Sequence, residues 1–579
     1  MAEDRKQIIT NPDVLIIGGG IVGSAIFREC ASNGLSVQLI EKRDFGWDVS
    51  AGSTEMAHGG FRYLMALSDW PLVFESLTER ELLSRNASHL VRHLNFYMPV
   101  YKGDGTTFDT CIPGVPKIPI TVGRYFGVGM FMMQMGMLLY KLFAIAGLKA
   151  KGFPPNYEEI GYAKYNKAKM LAIAPELNPK DLVGGFKFTD CKIEDVERLV
   201  IENILAAKIC SARTGVSANA ANYFEAIDLK RGSNQEIESV TVRDTETGET
   251  TVIKPKLVVN STGIFIDEIC AKAGAGGRDL LRRVSGIHLI VERFIKSDDK
   301  LAAFAFWIDK KILFAVSKGS DRLLVGTTER DIKISDGYHN RTFDADVSEV
   351  IKKLKSRFPS YNPNPQKDLH YTRVRPLMFQ PSKSDPKAVS RRDLIKWHEN
   401  TPNMVSVSGK LGPARHLAEM VGVKIVSSLK PGAKYAHTHK TAMPGGAIEG
   451  GLDAMIKRAQ GERPDADPKT IDRLVRRYGS RYKDVLALAS GPDDLKPIGT
   501  APDAVPMCAL LFSFKNEFCV HLKDAMTRTG NTKFFGEGLD CVEAAAKYAG
   551  TKLGWDEARV ASEINDYRNY IGERSQIVG

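Results

Sequence analysis

Gly18, Gly20 and Gly23 stand at the spacing G-x-G-x-x-G, and an acid, Glu41, follows 18 residues after the last of them. This pattern suits chemistry on a dinucleotide. The glycines permit a tight turn that lets backbone amides approach a pyrophosphate, and a helix starting there offsets its negative charge. Glu41 can accept hydrogen bonds from ribose hydroxyls and would repel a ribose phosphate. The motif does not by itself separate FAD from NAD. Its place at the start of a chain of 579 residues is the one common where FAD is permanently bound.

Such a loop works only between defined elements. Val14 to Ile17 is an apolar, β-branched run suited to a buried parallel strand. Ile21 to Ala31 reads as a helix, Asn33-Gly34 ends it, and Leu35 to Ile40 reads as a second strand. Strands, helix and acid together form a complete βαβ fingerprint.

Composition narrows the partners. Hydrophobic content of 43% and charged content of 26% describe a globular protein of two or three domains. A net charge of +11 favours anionic partners: phosphorylated substrates, anionic lipid surfaces or nucleic acid. The basic helix Asp472 to Val485 is read as a solvated face, with membrane contact and nucleic acid as alternatives. Eight cysteines include no C-x-x-C pair, so reduced thiols are expected rather than an iron–sulfur or zinc site. His437 and His439 flank Thr438 in a polar coil and are read as a surface loop; no metal is expected. No secretory signal, internal repeat or low-complexity tract is visible.

Farther along, Leu72 to Leu90 has helical spacing, with Glu75, Glu79, Arg80 and Glu81 placed outward. Tyr125 to Gly152 is rich in methionine and approaches the length of a membrane span. Its glycines and Lys141 favour a buried cap helix, with a monotopic membrane-contact helix and a true span as the alternatives. Glu194 to Lys208 reads as an amphipathic helix, and Val240 to Val259 as a hairpin leading into a buried strand that ends in "NSTG". Short β-patterned runs between Arg283 and Thr328 predict an antiparallel sheet, hence a substrate domain inserted into the nucleotide domain. "MVSVSGKLGPARHLAE" predicts a strand, a glycine turn and a helix with Pro413 near its first turn, and the chain beyond Gly451 reads as helical.

Several stretches taken in order, "GGGIVGSAI", "STEMAHGGFRYL", "GGFKFTDCKIEDVERLV", "VVNSTG", "SGIHLIV", "LVGTTERD", "RVRPL", "SGKLGPARHLAE" and "MPGGAIEGG", resemble the FAD-dependent, membrane-associated glycerol-3-phosphate dehydrogenases. The resemblance runs from about residue 11 to about 460. It implies FAD held as a fixture, and an α/β fold: a Rossmann-like FAD-binding domain with an inserted antiparallel-sheet substrate domain of the D-amino-acid-oxidase type, and a helical C-terminal domain. The corresponding boundaries are 11–110, 181–275 and 396–430 for the FAD-binding parts, 111–180 and 276–395 for the cap and substrate parts, and 431–579 for the helical end. The implied reaction oxidises sn-glycerol 3-phosphate to dihydroxyacetone phosphate and passes the electrons to a quinone. Oxidation of another polyol phosphate, transfer to oxygen, and a non-catalytic flavin-binding redox sensor are the alternatives. The expected location is cytoplasmic, peripheral on the inner face of the cell membrane. The expected partners are the phosphorylated substrate, quinone, the membrane surface and a second copy of the chain, without nucleic acid.

On that resemblance Arg62, Tyr63, Arg375 and Arg391 would bind substrate, the arginines because they pair bidentately with phosphate oxygens. His288, Lys410 and Arg375 would be catalytic. His288 is the favoured proton acceptor and His58 the alternative, with water or a cationic group otherwise taking the proton. Gly18, Gly20, Gly23, Glu41, Ser50, Gly263, Gly409, Lys410 and Leu411 would contact FAD. A cationic set of this kind is costly without an anion among its members, which argues against a mere sensor. The chain departs from the family pattern at Val49 and Ala51 beside Ser50, at Glu55, where a lysine is usual, at Arg373, and at Ser408, Gly412 and Pro413. Arg373 and Arg375 share a face only if their strand is regular.

Overall fold

A computed structural model describes residues 7–65, 67–102, 107–109, 119–121, 126–276, 279–297, 303–308, 311–319, 321–332, 343–379, 393–500, 504–530, 535–574 and 576–577. The strand Val14–Ile17 is wholly buried and pairs in parallel with Val37–Glu41 on one side and Leu257–Asn260 on the other. Ala218–Asn222 extends the sheet beyond Val37–Glu41. Met404–Ser408 and then Leu394–Trp397 extend it on the other edge, giving six strands. All but the last pairing are parallel, and the strands are accordingly short and apolar. The helix Ile21–Ser32 follows the glycine turn and ends at Asn33, with Gly34 at φ +69° taking the left-handed turn. It packs with Val196–Thr214 and Ala414–Leu429 over one face of the sheet.

A larger antiparallel-dominated sheet lies beside the first. Its eleven described strands include Leu369–Met378, Leu281–Glu292, Arg322–Gly326, Lys311–Lys318 and Ala303–Ile308 in neighbouring order. Val91–Tyr101 and Leu182–Ile193 complete this sheet rather than joining the nucleotide-binding one, although both fall in stretches assigned to the FAD-binding part from sequence. Ile237–Asp244 and Thr250–Ile253 form the expected hairpin, to which Phe224–Arg231 adds a third strand.

The helix Trp70–Asn86 corrects one expectation. Glu79, Arg80 and Glu81 are buried, not outward. Arg80 donates to Asp190 at 2.8 Å and to Glu81 at 2.7 Å, and Arg415 donates to both oxygens of Glu79 at 2.7 and 2.6 Å. Charge on a helix reads as solvent-facing only until partners elsewhere in the chain are known. The methionine-rich stretch forms one helix, Phe126–Ala150, that runs through Lys141. Tyr140 donates to Asp190 at 2.8 Å, and Gly147 lets the helix approach Thr78, whose Oγ1 would stand 1.9 Å from a Cβ there. No helix among the described residues is long and apolar enough to cross a membrane.

The C-terminal helices enclose their own core. They are tied to the nucleotide sheet by buried ion pairs: Arg528 donates to Asp44 at 2.6 and 2.7 Å, and Arg198 to Glu517 at 2.6 Å. Asp44 lies just beyond the strand ending in Glu41, so this contact buttresses the nucleotide loop.

Candidate active site

The glycine turn is shaped by close approach. Gly18 adopts φ +107°, and a Cβ there would meet the Ser261 carbonyl oxygen at 2.5 Å. On Gly23 a Cβ would stand 1.9 Å from the Gly18 carbonyl oxygen, so only hydrogen fits where helix and strand cross. Ser50 Oγ accepts from the amide of Ile21 at 3.1 Å, capping the helix that Gly20, without a side chain, cannot cap. Glu41 accepts from the amides of Gly19 at 2.8 Å and Arg43 at 3.0 Å. Burial pushes the Glu41 carboxyl up, and those two amides work against the shift. A carboxylate has about four acceptor positions, so capacity for ribose hydroxyls remains.

Gly18, Gly20, Ile21, Glu41, Ser50 and Ser261 line a cleft that also touches Lys42, Arg43, Phe265, Gly263, Ser408 and Gly409. Gly263, at φ +58°, has nothing among the described residues within 4 Å of a Cβ position and so borders open space. Lys42 Nζ sits 3.5 Å from the Phe265 ring centroid. A cleft bordered by the glycine turn, the N-terminus of the helix Ile21–Ser32 and the acid Glu41 fits a dinucleotide.

A second cleft shares Ile21, Val49, Ser50, Pro376, Ser408 and Gly409 with the first. Here the larger sheet meets the nucleotide loop. Tyr371, Arg373 and Arg375 alternate along Leu369–Met378, opposite His288, Gly286 and Val284 of Leu281–Glu292. The register is regular, so both arginines face one way, and both line the cleft. Gly286 makes room for the Arg375 guanidinium, which donates to Thr327 Oγ1 at 2.5 Å and to the Thr328 carbonyl at 3.2 Å. Gly52 plays the same part for Arg373, whose Cγ would lie 1.9 Å from a Cβ there.

His288 is 2% exposed and stacks on Tyr371 with ring centroids 5.2 Å apart. Its Nε2 is 3.1 Å from Thr54 Oγ1, and its Nδ1 is buried with no hydrogen-bond partner among the described residues. Burial, with Arg375 and Lys318 adding to it, holds the imidazole down at about 3. Lys410 lines the same cleft; its amide donates to Asp393 at 3.2 Å and its Nζ lies 5.7 Å from the Tyr63 ring centroid. Leu411, Gly412 and Pro413 follow in the wall, where Pro413 caps the helix Ala414–Leu429. His58 is exposed and stacks on Phe314 at 6.3 Å within the same cleft. Glu55, the reversed charge, is paired with Lys318 at 3.2 Å.

Of the sequence-predicted set, Gly18, Gly20, Glu41, Ser50, Gly263 and Gly409 line the first cleft. Tyr63, His288, Arg375, Lys410 and Leu411 line the second. Gly23 acts one layer behind, in helix–strand packing. Arg391 and the side chain of Arg62 lie outside the described residues. Sequence reasoning passed over Thr54, Lys318, Tyr371, Thr327 and Asp393. Tyr371 was recoverable from its two-residue spacing to Arg373 and Arg375; the others are brought in from separate segments and carry no local signal.

Comparison with known proteins agrees with this architecture. The family model described as C-terminal domain of alpha-glycerophosphate oxidase matches residues 436–560. Glycerol-3-phosphate dehydrogenase 2 of Mycobacterium tuberculosis is 28% identical over 96% of this chain and 87% of its own. Aerobic glycerol-3-phosphate dehydrogenase of Staphylococcus aureus is 26% identical over 97% and 94%. The FAD complex of glycerol-3-phosphate dehydrogenase from Bacillus halodurans shares the fold, with TM-score 0.72, 20% identity and coverage of 99% and 96%. The model of the FAD dependent oxidoreductase family matches residues 13–409, well over half of the chain. The chain therefore belongs to the FAD dependent oxidoreductase family, and FAD is its cofactor.

Proposed function

We propose that the protein oxidises sn-glycerol 3-phosphate to dihydroxyacetone phosphate and delivers the electrons to a quinone at a membrane surface. The observation that carries this reading is the placement of Arg373, Arg375, His288 and Lys410 around one cleft continuous with the FAD groove. Bound FAD supplies the hydride acceptor, as the family does generally. The names of relatives that match along nearly the whole chain support the substrate.

In this reading the arginines hold the substrate phosphate, which needs fixed cationic forks rather than a point charge. Arg375 is pre-oriented by Thr327 and Thr328, so little order is lost on binding. Arg62 and Arg391 are assigned to the same anchoring and Tyr63 to the pocket wall. His288 is neutral across the physiological range and takes the hydroxyl proton at Nε2, the nitrogen beside Thr54 in the cleft wall. Lys410 offsets negative charge developing on the substrate oxygen.

The apolar outer face of Phe126–Ala150, where Met135 is 47% and Leu142 49% exposed, supports a peripheral membrane contact. The test is anaerobic. Flavin absorbance should bleach with sn-glycerol 3-phosphate and far less with glycerol or the opposite enantiomer. The bleached enzyme should then reoxidise faster with a soluble quinone than with oxygen. Unchanged absorbance with every polyol phosphate would sink the proposal, whereas faster recovery with oxygen would replace only the acceptor.

A further inference from the structure

The connector leaving the helix Ala414–Leu429 folds back against it and brings two histidines to a glutamate. One ligand atom each of Glu419, His437 and His439 lie within 4.8 Å of one another. His437 Nδ1 and Glu419 Oε1 are 2.5 Å apart, and the two imidazole centroids are 5.5 Å apart. His439 is 6% exposed, and its Nδ1 is buried with no hydrogen-bond partner among the described residues.

The turn that carries the histidines is held from several sides. Asn86 Nδ2 donates to the His439 carbonyl at 2.9 Å, and Thr438 Oγ1 donates to Glu29. Tyr435 donates to the other oxygen of Glu29 at 2.7 Å, and Arg28 donates to the Thr441 carbonyl at 2.8 Å. Such supporting contacts orient ligands before an ion arrives. Two cations face the group. Arg415 pairs with Glu419 Oε2, but it is also forked onto Glu79, so two carboxylates share its charge. Lys151 acts from farther along the cap helix's end. Glu419 Oε1 remains directed at the histidines.

We propose that Glu419, His437 and His439 form a site for a divalent transition-metal ion, with zinc the best match to two imidazoles and one carboxylate. Bonds of about 2.0–2.2 Å place tetrahedral ligand atoms about 3.3–3.6 Å apart, so the Glu419–His437 pair must open by about an ångström, while the widest separation closes by up to about 1.5 Å. His437, whose side chain is 49% exposed, supplies that movement and leaves the fourth position to water. The ion would pin the connector to the helix Ala414–Leu429, which follows Leu411–Pro413 of the cleft wall, and it takes no part in the redox step.

The test uses the flavin-loaded full chain, stripped with a chelator and titrated with zinc chloride by calorimetry, with magnesium as the control. One zinc per chain is expected, with a higher unfolding temperature. His437→Ala should weaken binding at least tenfold while flavin content and zinc-free turnover stay unchanged. His439→Ala, if it folds, should do the same. Absence of saturable zinc uptake would overturn the site, and so would equal affinity in wild type and His437→Ala, which would mark uptake elsewhere on the surface.

Discussion

Gly286 and Arg375 occupy one space between neighbouring strands: a methyl on Gly286 would stand 2.3 Å from Arg375 Nη2 and 2.6 Å from Thr327 Oγ1. The absent side chain is what allows the guanidinium to lie against the sheet and bond to Thr327 and Thr328. Gly286→Ala should therefore disturb binding without touching any proposed reacting group. Charge-assisted hydrogen bonds contribute about 1.5–3 kcal/mol, so kcat/KM for the phosphorylated alcohol should fall by about 10–100-fold, mainly through KM. Arg375→Lys should behave similarly, because a point charge cannot replace the fork. Wild-type kinetics in both variants would remove Arg375 from the substrate site.

His288→Asn should keep FAD and the substrate KM but lose about 10²–10⁴-fold in kcat, the usual contribution of a positioned base. The wild-type pH profile adds a second check. With the imidazole held at about 3, His288 is already unprotonated in the free enzyme through the range above about pH 4. It should therefore produce no acid limb near its ordinary value of about 6.5 in kcat/KM. A limb at that position that disappears in His288→Asn would contradict the buried, cation-flanked environment.

The parts of this molecule that were legible from sequence are those whose cause is local. The glycine turn, its flanking strand and helix, and the hairpin closed through Gly248 at φ +77° depend on neighbours in the chain. The alternation of Arg373 and Arg375 is equally local once the strand is regular. What escaped depends on partners far away. Glu79 looked solvated because its partner, Arg415, lies 336 residues on. Val91–Tyr101 looked like nucleotide-domain chain because the strand it pairs with, Leu182–Ile193, comes after the cap helix. Thr54 and Lys318, which surround His288, belong to segments that carry no histidine-directed pattern of their own.

His89 gives a prediction about acid stability. It is 1% exposed, lies 3.9 Å from Glu202, and is held down to about 4 by burial and by Arg198 and Arg481, against the pull of Glu202. Its folded value lies below the unfolded value of about 6.5. Between the two, the unfolded chain binds a proton that the folded chain does not, so stability falls as pH drops from about 6.5 towards 4 and is unaffected above that window. The full effect is on the order of 3 kcal/mol. Measured by thermal unfolding across pH 4–8, His89→Gln should show a shallower acid decline than wild type, with its stability near pH 7 setting the baseline. An equally steep decline in both would assign the acid sensitivity to other groups, His288 first among them.

The outer face of Phe126–Ala150 offers the last test. Met135 and Leu142 are about half exposed there, and Leu67, on the turn before Trp70–Asn86, is 44% exposed. An apolar side chain fully removed from water contributes about 1.5–3 kcal/mol, so two half-exposed ones moving into a lipid interface contribute about 1 kcal/mol each. Met135→Glu with Leu142→Glu forfeits this and adds repulsion from anionic headgroups. Co-sedimentation with anionic vesicles should drop by at least tenfold, while flavin content and turnover with a soluble acceptor stay at wild-type levels. The net charge of +11 predicts that wild-type binding also weakens with salt, since surface attraction fades within a Debye length. If the double variant binds vesicles as wild type does and only salt releases it, the contact is electrostatic and lies on another face, and the cap helix serves packing alone.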